Sequence, residues 1–243
     1  METRGFCHYD LRTTDPDGAR LFYTEALGLD FAAASADAPP HLVIWPLHEQ
    51  ARARGAPAHW LGHIGVADVD AVAARLREAG SEPLGARQQR ADGSSYAVVR
   101  DPFGAVVAVR QPARRPRAAP VVWHQLHTRD LDAAWKLYEA LFGWSHTASL
   151  DVPDPSGGHR LFAWEGSAAS VGSMANTARW AGVHPHWLFY FPVSDLDAAL
   201  ARVVARGGVS AASPIALPNG DRLVPCDDPQ GAAFGLYETA TKA

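Results

Sequence analysis

Cysteine is nearly absent. The 243 residues hold only Cys7 and Cys226, too few for a disulfide-built secreted scaffold or for a zinc site of four thiolates. Neither has a CxxC partner, so each reads as a small buried hydrophobe and not as a nucleophile. An excess of one charge is also missing: 22 Lys+Arg against 26 Asp+Glu leave a formal charge of −4 and no basic field to draw nucleic acid. No apolar run approaches the roughly 20 residues that cross a bilayer, and the opening METRGFCHYD has no signal-peptide core. The expectation is a soluble, cytoplasmic chain with no membrane partner. Dinucleotide, P-loop and nucleophile-elbow motifs are absent, and HEQAR at 48–52 has Arg52 where HExxH needs its second histidine. What remains is ordinary globular composition, 47% apolar and 20% charged, in a length that suits two domains.

Those two domains are copies of one another. DPDGARLFYTEALG (15–28) matches DLDAAWKLYEALFG (130–143), with Ala19 on Ala134, Tyr23 on Tyr138 and Gly28 on Gly143. HWLGHIGVADVDAVAARLREAG (59–80) matches HWLFYFPVSDLDAALARVVARGG (186–208), and DPFGA (101–105) matches DPQGA (228–232). The offset grows from 115 to 127, so the first copy is shorter between its helices by 12 residues, about a strand and a turn. QPARRPRAAP (111–120) separates the copies and reads as a stiff, solvated linker. The boundaries are a first module over 1–112, a linker over 113–120 and a second module over 121–243.

Four helices are each opened by Asp and closed by Gly: Asp15 to Gly28, Asp68 to Gly80, Asp130 to Gly143, Asp195 to Gly207. The Asp carboxylate accepts from free N–H groups of the first turn, and Gly takes the left-handed cap at little cost. Val69, Val72, Ala73 and Leu76 carry the helical apolar period, as do Leu196, Ala199, Leu200 and Val203. Short β-like runs lie between, at 41–47, 96–102, 104–110, 159–166 and 232–238. The order is strand–helix–strands, repeated twice in each copy.

This βαβββ order, with its D-x-D first helix, D-V/L-D second helix and D-P-x-G turn before the last strand, resembles the vicinal oxygen chelate superfamily of glyoxalase I, bleomycin-resistance proteins and extradiol dioxygenases. The resemblance covers nearly the whole chain. It implies an α+β fold of paired βαβββ modules, two tandem copies forming curved open sheets. It also implies where a divalent cation would be held: seven residues before each helix-opening Asp, and four after the Gly of D-P-x-G. Those positions are His8 and Trp123, Leu61 and Leu188, Ala108 and Gly235. Only His8 can ligate, and a single imidazole holds no divalent cation. The expectation is that no metal cofactor is used in the usual geometry.

Residues two apart share a strand face, which offers other candidates. In the first module His8, Asp10 and Arg12 would face inward with Leu61, His63, Ala108 and Arg110. His8, Asp10 and His63 are the catalytic candidates: Asp10 beside an imidazole would raise its basicity for metal-free acid–base chemistry. The same three could instead form a displaced two-His-one-carboxylate set for a divalent metal. A salt-bridged structural cluster would look the same in sequence. In the second module Trp123, Gln125, His127, His186, Leu188, Tyr190 and Tyr237 combine aromatic walls with polar tips, as organic-ligand pockets do. Gly235 would leave room beside them. The competing reading is that these aromatics are core. His124 and His127, three apart, should face opposite ways, and His184-Pro185-His186 reads as a turn.

The functional expectation is a protein that binds a small aromatic or carbonyl-bearing metabolite, as monomer or homodimer, by sequestration or metal-free chemistry. The alternatives are a metal-dependent lyase, isomerase or dioxygenase with displaced ligands, and a non-enzymatic interaction protein whose hollows are filled core.

Overall fold

A computed structural model describes residues 5–31, 42–53, 55–90, 94–112, 120–151, 157–217 and 219–240. The expected linker at 113–120 lies, except for Pro120, outside the described residues. The N-terminal sheet has seven strands: β1 (Phe6–Thr13), β2 (Leu42–Pro46), β3 (His59–Gly65), β4 (Glu82–Pro83), β5 (Gln88–Gln89), β6 (Ser95–Arg100) and β7 (Val106–Arg110). Their spatial order is β2-β1-β3-β7-β6-β4, with β5 beside β6. The C-terminal sheet has nine: β8 (Trp123–His127), β9 (Ser145–Leu150), β10 (His159–Ala163), β11 (Gly172–Ala175), β12 (His186–Val193), β13 (Val209–Ser210), β14 (Ile215–Ala216), β15 (Arg222–Asp227) and β16 (Ala233–Glu238). Their order is β13-β15-β16-β12-β8-β11-β10-β9, with β14 beside β15. Both sheets are mixed: β1 and β2 run parallel, as do β3 and β7, while β6 and β7 are antiparallel. Neither closes into a barrel.

Helices α1 (Pro16–Leu27), α2 (Glu49–Ala53), α3 (Val69–Glu78), α4 (Leu131–Phe142) and α5 (Leu196–Ala205) fill the connections. Apart from short α2, each is opened as its sequence requires. Asp15, Asp68, Asp130 and Asp195 accept from the backbone N–H three residues on, at 2.9–3.0 Å. Gly28 and Gly143 close α1 and α4 in the left-handed region, φ 68° and 66°. No helix is long and apolar enough to cross a membrane among the described residues.

The shorter first copy differs by more than a strand and a turn. In the C-terminal sheet β11 lies parallel to β8, and the antiparallel pair β9–β10 extends beyond it. In the N-terminal sheet β2 holds the place of β11, and no described strand continues past it.

Contacts divide the chain into two compact units, and these are not the sequence copies. One comprises Met1–His8, Gly62–Arg117 and His124–Trp187; the other comprises Tyr9–Leu61, Ala118–Trp123 and Leu188–Ala243. Each unit therefore draws on both copies. In the first, Trp187 Nε1 donates to the Tyr138 hydroxyl at 3.2 Å, which donates to Asp101 Oδ2 at 3.1 Å. In the second, Trp60 Nε1 donates to Tyr23 at 2.9 Å, and Tyr23 to Asp228 Oδ2 at 3.1 Å. The other oxygen of each Asp accepts two backbone N–H groups of its own D-P-x-G turn. The repeated Tyr, Trp and D-P-x-G are thus one device used twice, joining the first helix of one copy to the last turn of the other. Tyr23→Phe and Tyr138→Phe should each lower unfolding free energy by about 1–3 kcal/mol, since each strands a buried indole N–H. Urea unfolding checks this, and unchanged midpoints in both variants would contradict the bridging role.

Candidate functional site

Strand alternation puts His8, Asp10 and Arg12 on one face of β1, and the structure buries the first two. The ring of His8 meets that of His63 edge-on at 4.8 Å, and His63 meets Tyr96 of β6 at 5.2 Å. One nitrogen from each histidine and a carboxylate oxygen of Asp10 lie within 4.8 Å of one another. Arg12 Nη2 donates to Asp10 Oδ2 at 2.9 Å, and Arg110 Nη2 to Ser94 Oγ at 3.2 Å. Both imidazoles, Asp10 and Arg110 are less than 5% exposed. Register places Ala108 against His63 and Arg110 against both Gly65 and Tyr96, so these side chains share that face. With neutral imidazoles the formal charges of Asp10, Arg12 and Arg110 sum to one positive. Buried charges persist only when paired or when they serve a ligand.

The donor set matches a two-His-one-carboxylate metal site in kind and number. Its spacing is loose, because bonds of about 2.1 Å put adjacent donors about 3 Å apart. Arg12 also already holds one oxygen of the only carboxylate in the set.

The second module's candidates fall into two groups. Trp123, Leu188, Tyr190 and Tyr237 are all buried. Trp123 stacks on Tyr237 at 5.8 Å, and the Tyr237 hydroxyl is held by Asp221, which also takes Asn219 Nδ2 at 2.7 Å. Tyr190 pairs in register with Gly235, and a Cβ on Gly235 would come within 2.1–2.5 Å of three Tyr190 ring atoms. The room expected at Gly235 is therefore already filled by this ring.

His127 and His186 form the second group, with rings stacked at 4.4 Å and 12°. His127 Nδ1 lies 2.6 Å from Thr177 Oγ1, and His186 Nδ1 donates to the His184 carbonyl at 2.7 Å. Burial holds His127 well below the ordinary histidine range, helped by neighbouring His186 and His159. His186 opens strand β12, so the expected turn ends just before it. Gln125 is buried on β8. His124 points the opposite way from His127, as its spacing predicts: it stacks on Phe6 at 4.8 Å and donates to the Val171 carbonyl at 2.9 Å. Burial favours the protonated thiols, pushing Cys7 up to about 11 and Cys226 to about 12.

Thr177, Tyr96, Ser94 and Asp221 were not legible as site residues. Each completes its partner across a strand or turn junction, and no local pattern marks it. For Thr177 the only available signal was its place just after β11, the strand that pairs with β8.

The chain matches the Glyoxalase/Bleomycin resistance protein/Dioxygenase superfamily over residues 5–109 and 121–236. It is 30% identical over 249 residues to CFP32 of Mycobacterium tuberculosis, a glyoxylase by name, covering 95% of this chain and 93% of that one. It is 30% identical over 210 residues to the anthracycline biosynthesis protein DauV of a Streptomyces species, covering 83% and 72%. Among solved structures, the 2,3-dioxygenase LapB of Pseudomonas sp. KL28 superimposes with TM-score 0.67 at 12% identity, over 99% of this chain and 94% of that one. The Mn(II)-bound glyoxalase of Novosphingobium aromaticivorans gives 0.63 at 13%, over 98% and 82%. At those identities the two structures speak to the fold alone. Matched in both of its copies and over nearly its full length, the chain belongs to the Glyoxalase/Bleomycin resistance protein/Dioxygenase superfamily.

Proposed function

We propose that the protein binds a small, carbonyl-bearing organic acid directly on the inner face of its N-terminal sheet, where His8 and His63 exchange a proton with it. The observation that supports this most is the charge of that face: Asp10 is already held by half-buried Arg12, and Arg110 adds a fully buried guanidinium. A face with one surplus positive charge attracts a carboxylate or enolate oxygen and disfavours a dication. His8 and His63, edge-on to each other, offer a proton donor and acceptor within reach of one small molecule. The relative named for anthracycline biosynthesis is in keeping with an organic metabolite. On this reading the protein is cytoplasmic, works as monomer or homodimer, and has a small molecule as its partner instead of nucleic acid or membrane.

A second reading rests on the convergence of His8, Asp10 and His63 and on the Mn(II) of the structurally similar glyoxalase. These three residues would hold a divalent cation once Arg12 released Asp10. The ion would polarise a ligand oxygen.

Calorimetric titration of the chelator-treated protein with phenylpyruvate separates the two. Binding without metal, weakened at least tenfold in Arg110→Gln and in His8→Ala/His63→Ala, is the expected result. Binding that appears only after Mn(II) is added would replace the first reading with the second, and no binding in either condition would remove both.

A further inference from the structure

We infer that His127 is a neutral hydrogen-bond donor for a ligand's carbonyl oxygen in the C-terminal sheet, with Thr177 fixing the tautomer that makes it one. The inference concerns a different sheet and does not depend on His8, Asp10 or His63.

His127 Nε2 is fully shielded and has no hydrogen-bond partner among the described residues. A buried polar atom left in that condition is costly, so a site that keeps one has a use for it. Its other nitrogen faces the Thr177 hydroxyl at 2.6 Å, and that hydroxyl has no other partner among the described residues. An imidazole nitrogen is a far stronger base than an alcohol oxygen. The hydroxyl therefore donates to Nδ1, which leaves the ring proton on Nε2. The unpartnered atom is thus an N–H, and it calls for an acceptor.

The surroundings hold this arrangement in place. Thr177 sits in a short 3-10 turn (Asn176–Arg179) tied to the end of β8 at several points. Ala178 N donates to Thr128 O at 3.2 Å, Arg179 Nε donates to Arg129 O at 2.7 Å, and Asn176 Oδ1 accepts from Leu131 N at 2.8 Å. Such anchoring fixes the hydroxyl before any ligand arrives. The ring stays uncharged at neutral pH because burial and the neighbouring His186 and His159 disfavour its cation. A neutral N–H aimed at a carbonyl oxygen stabilises negative charge developing there without giving up a proton. His186, half-buried and lying flat on His127, is the side of the shield that an incoming ligand displaces.

The test is imidazole nitrogen NMR of the intact protein, with acetophenone as the carbonyl probe and ethylbenzene as its match without the oxygen. His127 should carry its proton on Nε2, and that signal should shift with acetophenone and not with ethylbenzene. Thr177→Val, which keeps the shape and removes the hydroxyl, should give a mixture of tautomers and at least a tenfold weaker response; Thr177→Ser should restore both. His186→Ala should strengthen the response. A proton on Nδ1, no shift with acetophenone, or equal shifts with both probes would each overturn the inference. None of these readouts reports on the N-terminal sheet.

Discussion

Replacing Gly235 with glutamate is expected to destabilise the protein by more than about 3 kcal/mol and to create no metal site. The resemblance suggests the opposite, because the superfamily's metal centres carry a carboxylate at this point of the last strand. Here the space is taken: Gly235 pairs with Tyr190 on one side and Pro225 on the other, and the Tyr190 ring lies where a Cβ would stand. Tyr190 is 1% exposed, and removing its ring in Tyr190→Ala should cost about 3–5 kcal/mol, as truncating a buried aromatic does. The two changes should compensate. The double variant Gly235→Glu/Tyr190→Ala is expected to fall short of the summed losses by about 1–3 kcal/mol. Urea unfolding of all three variants tests this, and a Gly235→Glu protein as stable as the parent would show that Tyr190 does not fill the site.

Acid should destabilise the fold well before its carboxylates titrate. Burial drives His124 down to about 4, only partly opposed by its bond to the Val171 carbonyl, against about 6.5 in an unfolded chain. Between those values the unfolded state binds the proton and the folded state does not. Stability is therefore full above pH 6.5, falls as pH drops toward 4 and levels off below it, by about 3 kcal/mol for this residue. His127, held low by burial and by His186 and His159, adds a loss of the same sign. Asp101 and Asp228 act in the other direction. Burial raises both against their hydrogen bonds, so each takes up its proton more readily folded than unfolded just above the usual carboxylate range. His124→Phe, which keeps the stack on Phe6, isolates the contribution of His124: its stability should change by about 3 kcal/mol less between pH 6.5 and 4. Parallel pH profiles for parent and variant would contradict the assignment.

The fold was legible where a local rule decides the structure. Asp15, Asp68, Asp130 and Asp195 open helices because a carboxylate three residues before a free N–H caps it, and Gly28 and Gly143 end two of them because of their positive φ. Two-residue alternation likewise put His8 and Asp10 on one face, and repeat arithmetic found the D-P-x-G turns. What the turns are for was not legible. Tyr23 and Asp228 are 205 residues apart, and only the folded chain joins them. The arithmetic could name Gly235 as a vacated position, but not that a ring from the paired strand occupies it. Nor could it mark Thr177, which matters only because β11 delivers the turn that follows it to the end of β8.

The two sheets also differ in a way that composition averages out. The N-terminal face carries the buried guanidinium of Arg110, the half-buried one of Arg12 and one carboxylate, while the C-terminal candidates are chiefly aromatic rings beside His127, whose cation burial disfavours. On the proposals above, one face takes an anion and the other an uncharged acceptor.

The most direct test of metal-free ligand binding is an anomalous difference map at the manganese edge, from crystals of the whole chain soaked in Mn(II). The account predicts no ion bound by three or more protein atoms in either sheet. A peak coordinated together by His8, Asp10 and His63 would contradict it.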